Sequence, residues 1–155
     1  MADVLLKKII AEIGTDMNRF PSDAHLSSWA GMSPGQNESA GKRKCGRTRK
    51  GNNALRRTLT EAARAAARTK NTYLSAKYHR IAARRGANRA AVAVGHTILV
   101  TIYNMLKNRE EYKDLGVDFL DRRKKNYTRK RSLKTLQNLG IEVIVNNPEE
   151  LTIAN

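Results

Sequence analysis

The chain has 155 residues, of which 40% are apolar and 5% aromatic, and its formal net charge is +16. This length fits one domain of ordinary size, and the composition predicts a core of Ala, Leu, Ile and Val. A single cysteine, Cys45, excludes an internal disulfide and fits a reducing compartment. One cysteine and three histidines have no metal-ligand spacing, so no metal site is predicted in this chain. The N-terminus lacks the basic start and cleavage site of a secretory signal, so a cytoplasmic location is the default expectation.

The basic residues are segregated along the chain. Between Ala40 and Val100 there are sixteen Lys or Arg and one acid, Glu61, and between Arg122 and Gly140 there are eight cations and no acid. Self-repulsion of this size opposes compaction, so a polyanionic partner is expected, and nucleic acid is the leading interpretation. An anionic membrane, an acidic protein partner and a merely solvated surface are the alternatives.

Two short helices are predicted in the N-terminal part of the chain. In Val4–Ile13 the apolar residues recur at helical spacing. Ser22 is a good N-cap for a second helix, Asp23–Ala30, which is expected to bury Leu26 and Trp29.

Three longer helices are predicted in the middle of the chain. The first covers Ala54–Lys70 after a cap at Asn52 or Asn53. The second is capped by Asn71 or Thr72 and ends near Arg85, and the third covers Asn88–Lys107. The third is the most apolar, but its apolar run is shorter than a membrane span and contains polar residues. It is expected to be the central buried helix, and no membrane contact is predicted.

The C-terminal part is less regular in pattern. Glu110–Leu115 is predicted to form one or two further helical turns and Arg122–Leu139 a basic helix, while Ile141–Val145 has strand propensity but no obvious partner strand. The expected organisation is a domain over residues 1–121, followed by a basic helix and a loose tail over residues 122–155. The elements together predict an all-α fold of about five to seven helices with a Gly-rich basic loop.

That segment, Ser33–Gly51, is predicted to be a loop or a weak hairpin, and it surrounds one serine, Ser39, with glycines and cations. Glycines allow a backbone to approach a ligand closely, and cations hold a phosphate and stabilise charge that develops on it. A serine nucleophile also needs exposure and a group that takes its proton. The residues alone leave two interpretations open, a nucleophile toward phosphorus and an ordinary loop serine with a turn hydrogen bond. The candidate nucleic-acid-binding residues are Lys42, Arg43, Lys44, Arg47, Arg49, Lys50, Arg56 and Arg57, and the candidate loop glycines are Gly35, Gly41 and Gly51.

Other catalytic motifs are not apparent. No GxxxxGK[ST] sequence is present, which excludes a P-loop, and no Ser-His-Asp set can be assembled. His25 is expected to pack or to face solvent, and His96 to be a core histidine rather than a general base. His79 lies on a basic helix, where it is expected to contact phosphate.

A series of short motifs extends from about Val4 to Asp121. The motifs are Ile10–Gly14, Phe20–Ser22, Leu26–Gly35, Asn37–Lys42, Arg49–Asn52, Leu55–Arg57, Glu61–Ala63, Ala65–Lys70, Ala82–Gly86 and Val92–His96. In this order they resemble the C-terminal domain of the IS116/IS110/IS902 family of insertion-sequence transposases. An ordered series of this length is more specific than any one of its motifs.

The resemblance implies a two-part enzyme for DNA transposition. One part is a RuvC-like domain whose acidic residues bind Mg²⁺, and the other is a C-terminal domain whose serine attacks the DNA backbone and forms a covalent phosphoserine link. Ser39 occupies the position that matches this serine. The resemblance also implies a guide RNA as a partner and a homo-oligomer in which the two parts combine across protomers. Exchange through a covalent link conserves the energy of the phosphodiester, so strand transfer needs no ATP.

Two parts of the family pattern are missing from this sequence. No acidic constellation precedes Ser39, so the RuvC-like domain is absent, and only the second helix of the family's helix-hairpin-helix matches, as Val4–Ile13. A domain of a longer protein or a truncated copy is therefore expected, which binds nucleic acid but does not recombine DNA alone. A non-catalytic nucleic-acid-binding module is the alternative function. The segment from Arg122 is expected to add a basic helix for RNA or DNA.

Overall fold

The computed structural model describes residues 2–35, 37–45, 48 and 50–141, with the backbone alone described at 2, 37–39 and 42–45. Within these residues the chain forms six α-helices, one short 3-10 helix and two short strands, which confirms the predicted all-α class. The elements are α1 (Ala2–Ile13), the 3-10 helix (Met17–Arg19), α2 (Asp23–Trp29), β1 (Asn37–Ser39), β2 (Lys42–Cys45), α3 (Asn53–Ala67), α4 (Tyr73–Arg85), α5 (Ala87–Asn108) and α6 (Phe119–Asn138). They divide into two units, Met1–Asp118 and Phe119–Asn155.

Side-chain caps begin three of these helices, at residues that the sequence predicted. Ser22, Asn52 and Thr72 each accept a hydrogen bond from the backbone N–H three residues later, at the starts of α2, α3 and α4. Each cap satisfies one of the N–H groups that the first turn of a helix leaves without a partner. Local chemistry therefore sets the starts of these helices.

Helix α5 is the centre of the first unit, as predicted. It packs against α2, α3 and α4, and α1 packs against α3. On α1 and α3 the buried residues recur every four positions, which places them on one side of each helix. The fully or almost fully buried apolar residues are Leu5, Ile9 and Ile13 on α1, Leu55, Leu59 and Ala63 on α3, and Ala90, Ala91, Val94, Leu99 and Tyr103 on α5.

Helix α5 is also the one helix in the described part of the chain that could cross a membrane, by its length of 22 residues and its composition. Its observed length exceeds the apolar run that the sequence suggested. Because α5 packs on three neighbouring helices and contributes Val94, Leu99 and Tyr103 to the core, it is the core helix of this fold.

The expectation that Trp29 is buried is wrong. Its side chain is 44% exposed and packs against Phe20, with ring centroids 5.6 Å apart. Helix α2 has only seven residues, and Leu26, Ser27 and Ala30 already fill its buried side.

The helical turns expected at Glu110–Leu115 are not formed. Residues 110–116, called the strap below, run without regular structure and are fixed by Asp114. The Asp114 carboxylate accepts hydrogen bonds from the backbone N–H of Tyr73 (3.2 Å), the N–H of Gly116 (2.9 Å) and the hydroxyl of Tyr112 (2.8 Å). Since Tyr73 is the first residue of α4, the strap places a negative charge at the positive end of that helix. This tertiary contact replaces the helical hydrogen bonds of the segment.

The hydrogen bonds of the strap perturb two ionisable groups. Burial alone would raise the pKa of Asp114, but the hydrogen bonds from Tyr112, Gly116 and Tyr73 outweigh it and hold the pKa below its usual value. Burial, together with the hydrogen bond to Asp114, raises the pKa of Tyr112 to about 12.

The second unit contains α6, which begins three residues before the predicted helix and ends one residue before its predicted end. None of the twenty residues of α6, all of which the structure describes, is buried. The strand propensity noted at Ile141–Val145 concerns mainly residues 142–145, which lie outside the described part of the chain.

Candidate nucleic-acid interface

The segment around Ser39 forms a two-stranded antiparallel hairpin. Strand β1 pairs with β2 in the register Asn37 with Cys45, Glu38 with Arg43 and Ser39 with Lys42, with an irregularity between Asn37 and Glu38. The register leaves Lys44 without a directly opposed residue, as in a β-bulge. Of the two forms that the sequence allowed, a loop or a weak hairpin, the structure has the hairpin.

The turn of the hairpin consists of Ala40 and Gly41. Both have positive φ angles, 51° and 72°, which is the combination that a two-residue type I′ turn requires. A side chain at Gly41 would meet no atom within 4 Å, so the glycine serves backbone conformation rather than close packing. The turn makes Ser39 and Lys42 direct cross-strand neighbours at the tip.

The base of the hairpin is closed by backbone contact between its two ends. A Cβ atom at Gly51 would lie 2.3 Å from the Gly31 nitrogen and 2.6 Å from the Ala30 carbonyl carbon. Gly31 itself is buried and has a φ of 67°. Farther out, an isolated bridge pairs Pro34 with Thr48. The chain therefore leaves the helical core and returns to it at one point.

The returning end is tied to two helices. Asn52 accepts from the Leu55 N–H (3.0 Å) as the cap of α3, and its amide donates to the Glu12 carboxylate on α1 (2.6 Å). Lys50 is exposed just before this cap, Arg57 is exposed on α3, and Arg56 is half-buried. These three predicted cations lie near the N-terminus of α3, whose dipole adds positive potential.

A further group of exposed cations lies on α3, α4 and α5. Arg64 of α3 donates to the Asn88 side chain at the start of α5, at 3.2 Å. The end of α4 and the start of α5 follow each other directly in sequence, so their cations belong to the same end of the helical unit. This group was not predicted as a site from the sequence, because its members are far apart along the chain, although each basic cluster was visible there. The exposed members are Arg64, Arg84, Arg85 and Arg89.

Each histidine has a structural setting. His25 makes a 2.8 Å hydrogen bond with the Ser22 hydroxyl, and His79 donates to the carbonyl of Ala67 at 3.2 Å. The carbonyl that accepts from His79 belongs to Ala67, the last residue of α3. The helix therefore ends three residues before Lys70, the end that the sequence predicted. Phosphate contact by His79 stays a prediction.

His96 is half-buried on α5, next to charged groups. Burial and the charge of Lys77 lower its pKa, while Asp23 acts in the opposite direction. Neutral imidazole is therefore favoured there, although His96 lies at the edge of the core rather than fully inside it.

Several predicted site residues are described by their backbone only. Ser39, Lys42, Arg43 and Lys44 lie on the two strands, and Gly35 lies between Pro34 and the hairpin. The predicted contacts of Arg47 and Arg49 lie outside the described residues. Their roles stay predictions.

The resemblance assigns its Mg²⁺ to the RuvC-like domain and not to the residues of this chain. Within residues 2–35, 37–45, 48 and 50–141, no group of three or more His, Cys, Asp or Glu side chains is placed to hold a metal ion. No chemical step is therefore assigned to a metal bound by these residues.

Comparison with known proteins identifies a family. The profile of the transposase IS116/IS110/IS902 family matches residues 1–80, which include α1, the hairpin, α3 and the first part of α4. No curated protein and no solved structure matches the chain.

Proposed function

Because the chain belongs to the IS116/IS110/IS902 family of transposases, we propose that it is the DNA-binding part of a transposase and that Ser39 is its nucleophile. Family membership supports a role in transposition, with DNA as the partner. The proposal adds the residue that reacts with DNA and the surface that holds it.

The observation that carries the proposal is the register of the hairpin. It sets Ser39 next to a two-residue turn and opposite Lys42. Ala40 and Gly41 of that turn are exposed, so the tip projects backbone that a DNA strand can approach. The closed base at Gly31 and Gly51 supports a fixed position for this tip, which a reactive group needs for catalysis.

The proposed reaction is a transfer of a phosphoryl group to serine and back. The Ser39 hydroxyl oxygen attacks a DNA phosphorus and forms a new P–O bond, while one P–O bond to a deoxyribose oxygen breaks. The serine hydroxyl gives its proton to a base, and the deoxyribose oxygen that leaves is protonated. A hydroxyl of another strand then attacks the phosphoserine and releases Ser39. The number of phosphodiester bonds is unchanged, so the reaction needs no nucleotide cofactor.

Cations around the tip would stabilise this transfer. A positive charge near the phosphorus favours the extra negative charge that develops on the phosphate oxygens. The proposal assigns this role to Lys42, Arg43 and Lys44 on β2, and assigns the flanking DNA backbone to Lys50, Arg56 and Arg57. Arg47 and Arg49 are proposed to assist them.

The remaining parts of the active complex are proposed from the family resemblance. A RuvC-like domain would hold Mg²⁺ with its own carboxylates, a guide RNA would direct the complex, and a homo-oligomer would join the two parts. A cytoplasmic location fits these partners. The second candidate function, a non-catalytic nucleic-acid-binding module, is supported by the same exposed cations on α3 to α5.

The test combines the chain with a RuvC-like partner domain, element DNA, guide RNA and Mg²⁺. Ser39→Ala is expected to abolish the covalent protein–DNA adduct on a denaturing gel, while DNA binding changes less than about twofold. Ser28→Ala removes another exposed serine, on α2, and should leave the adduct intact. An adduct that persists in Ser39→Ala would overturn the catalytic assignment and leave the binding module.

A further inference from the structure

Helix α6 has a charge pattern that the family match does not cover. Its sequence contains eight Lys or Arg and one acid, Asp121, and it lies entirely beyond residues 1–80. The partly buried residues Asn126, Arg129, Leu133 and Leu136 recur at helical spacing, so they mark one side of the helix. The other side is exposed.

At the middle of the exposed side stands an aromatic ring. Tyr127 is 67% exposed. Residues three or four positions away are its neighbours on a helix surface, and all four of these positions are exposed cations: Arg123, Lys124, Lys130 and Arg131. Lys134, seven positions on, extends the same row. This set, with Tyr127, is called the Tyr127 face below.

The surface next to Tyr127 offers polar groups as well. Tyr127 and Arg131 border an open depression of about 480 Å³. A depression of this size can admit a planar base beside the ring. Its other lining residues on α6 are Thr128, Ser132, Thr135 and Leu136.

Other partners fit this face less well. A helix that lies on a membrane needs an apolar face opposite its cations, but the partly buried side of α6 is not apolar, because it carries Asn126 and Arg129 as well as two leucines. A merely solvated basic helix has no reason to place its one exposed ring among four cations. A polyanion made of flat, stackable units matches both the charges and the ring.

We propose that the Tyr127 face binds single-stranded nucleic acid. The cations contact successive phosphates, and the Tyr127 ring stacks on one unpaired base. In a duplex the faces of the bases are occupied by their neighbours, so the ring has no base to stack on. The site goes beyond the proposed function, because it uses neither Ser39 nor the cations of α3 to α5.

The test measures fluorescence anisotropy of the full chain with labelled 20-nucleotide RNA, the same sequence as single-stranded DNA, and the matching DNA duplex, in 50 mM salt. Tyr127→Ala should weaken single-strand binding about 5- to 100-fold, the usual loss for one stacked base. Duplex binding should change less than about twofold. Tyr127→Phe, which keeps the ring, should bind as the parent chain does, and Tyr127→Leu, which keeps apolar surface without a ring, should resemble Tyr127→Ala.

The outcomes distinguish RNA from single-stranded DNA as the ligand, and they test the Tyr127 proposal separately from the Ser39 proposal. Ring-dependent binding of RNA or of single-stranded DNA supports the Tyr127 face, and a preference between them identifies the source of the strand. Absence of single-strand binding, an equal loss for the duplex, or failure of Phe to restore affinity would each overturn it. Circular dichroism of each variant checks that α6 remains helical. Because Ser39→Ala is expected to leave oligonucleotide binding intact, a failure at Tyr127 leaves the adduct experiment unaffected, and the reverse also holds.

Discussion

At the scale of single residues, the contact between Gly51 and Gly31 is the most demanding feature of the candidate site. The atoms that a Gly51 side chain would meet are backbone atoms of Gly31 and Ala30, at 2.3 to 2.6 Å. Backbone of a buried segment has little room to move, since its neighbours are close-packed. The absence of a side chain at Gly51 therefore allows the base of the hairpin to close.

Gly51→Ala is accordingly expected to destabilise the first unit. The added methyl group must push the two chain ends apart, and overpacking of this kind costs about 1–3 kcal/mol in the free energy of unfolding. Thermal or urea unfolding measures the loss.

Gly41→Asn is the matched control. Gly41 needs a positive φ but has open space around it, and Asn tolerates that conformation better than other side chains. Its effect should be a few tenths of a kcal/mol. Equal stability of Gly51→Ala and the parent chain would show that the base opens without cost.

A comparison of the helix caps with Gly51 shows which residue roles a sequence can predict. The caps Ser22, Asn52 and Thr72 act on backbone within three residues, so their chemistry is visible locally. The need for Gly51 arises from Gly31, twenty positions earlier, and no local pattern records it. Gly51 could therefore be predicted as a loop glycine, but its contact with Gly31 could not.

At the scale of elements, the strap depends on one hydrogen-bond network, which is centred on the exposed carboxylate of Asp114. Asp114 joins the start of α4 to Tyr112 and Gly116, so the strap holds its path without helical hydrogen bonds. The pattern of Glu110–Leu115 suggested helical turns because periodicity records only a segment's own preference. The Trp29 error has a related cause, since the packing of α2 decides which side is buried. Long helices such as α5 were predictable, because many apolar residues at helical spacing outweigh the effect of any single tertiary contact.

The strap should respond to alkaline pH. The pKa of Tyr112 is about 12 in the folded protein, against 10.0 for an ordinary tyrosine. The neutral hydroxyl is therefore favoured by folding, and its contribution to stability is complete below pH 10 and is lost as the pH rises toward 12. An absorbance titration at 295 nm of the parent chain minus Tyr112→Phe should show a step centred near pH 12.

Asp114→Asn tests the cause of the shift. The amide removes the carboxylate charge that opposes ionisation of Tyr112, so the pKa of Tyr112 should fall but stay above 10, because burial remains. At the acidic end, the lowered pKa of Asp114 means that its contribution is present above the usual carboxyl pKa and is lost below it. A difference titration centred near pH 10 in the parent chain would contradict this account of the strap.

At the scale of the whole molecule, the distribution of charge dominates. The net charge is +16, and only one acid, Glu61, lies between Ala40 and Val100. The structure exposes cations of that region at the start of α3 and where α4 meets α5. The sequence alone predicted the excess of positive charge. Only the fold shows that cations from α3, α4 and α5 lie close together.

Binding of duplex DNA should therefore depend steeply on salt. If the chain contacts on the order of 6–10 phosphates, its affinity should fall by about 10³–10⁵ between 50 and 200 mM salt. Arg57→Gln and Arg89→Gln should each reduce the slope of log affinity against log salt by about 1. Lys7→Gln, which removes an exposed cation of α1, should leave the slope unchanged. An affinity that hardly varies with salt would refute nucleic-acid binding through these cations.

The contact of Gly31 with Gly51 has a consequence for how this fold can change. Since the chain departs from the helices and rejoins them at a single closed point, the residues from Ser33 to Lys50 form an insert between α2 and α3. The entropy cost of closing a loop grows slowly with its length. Inserts of other lengths or sequences can therefore be exchanged at this point while helices α1 to α5 keep their packing, which makes the hairpin the part of the first unit that can be replaced without changing its core.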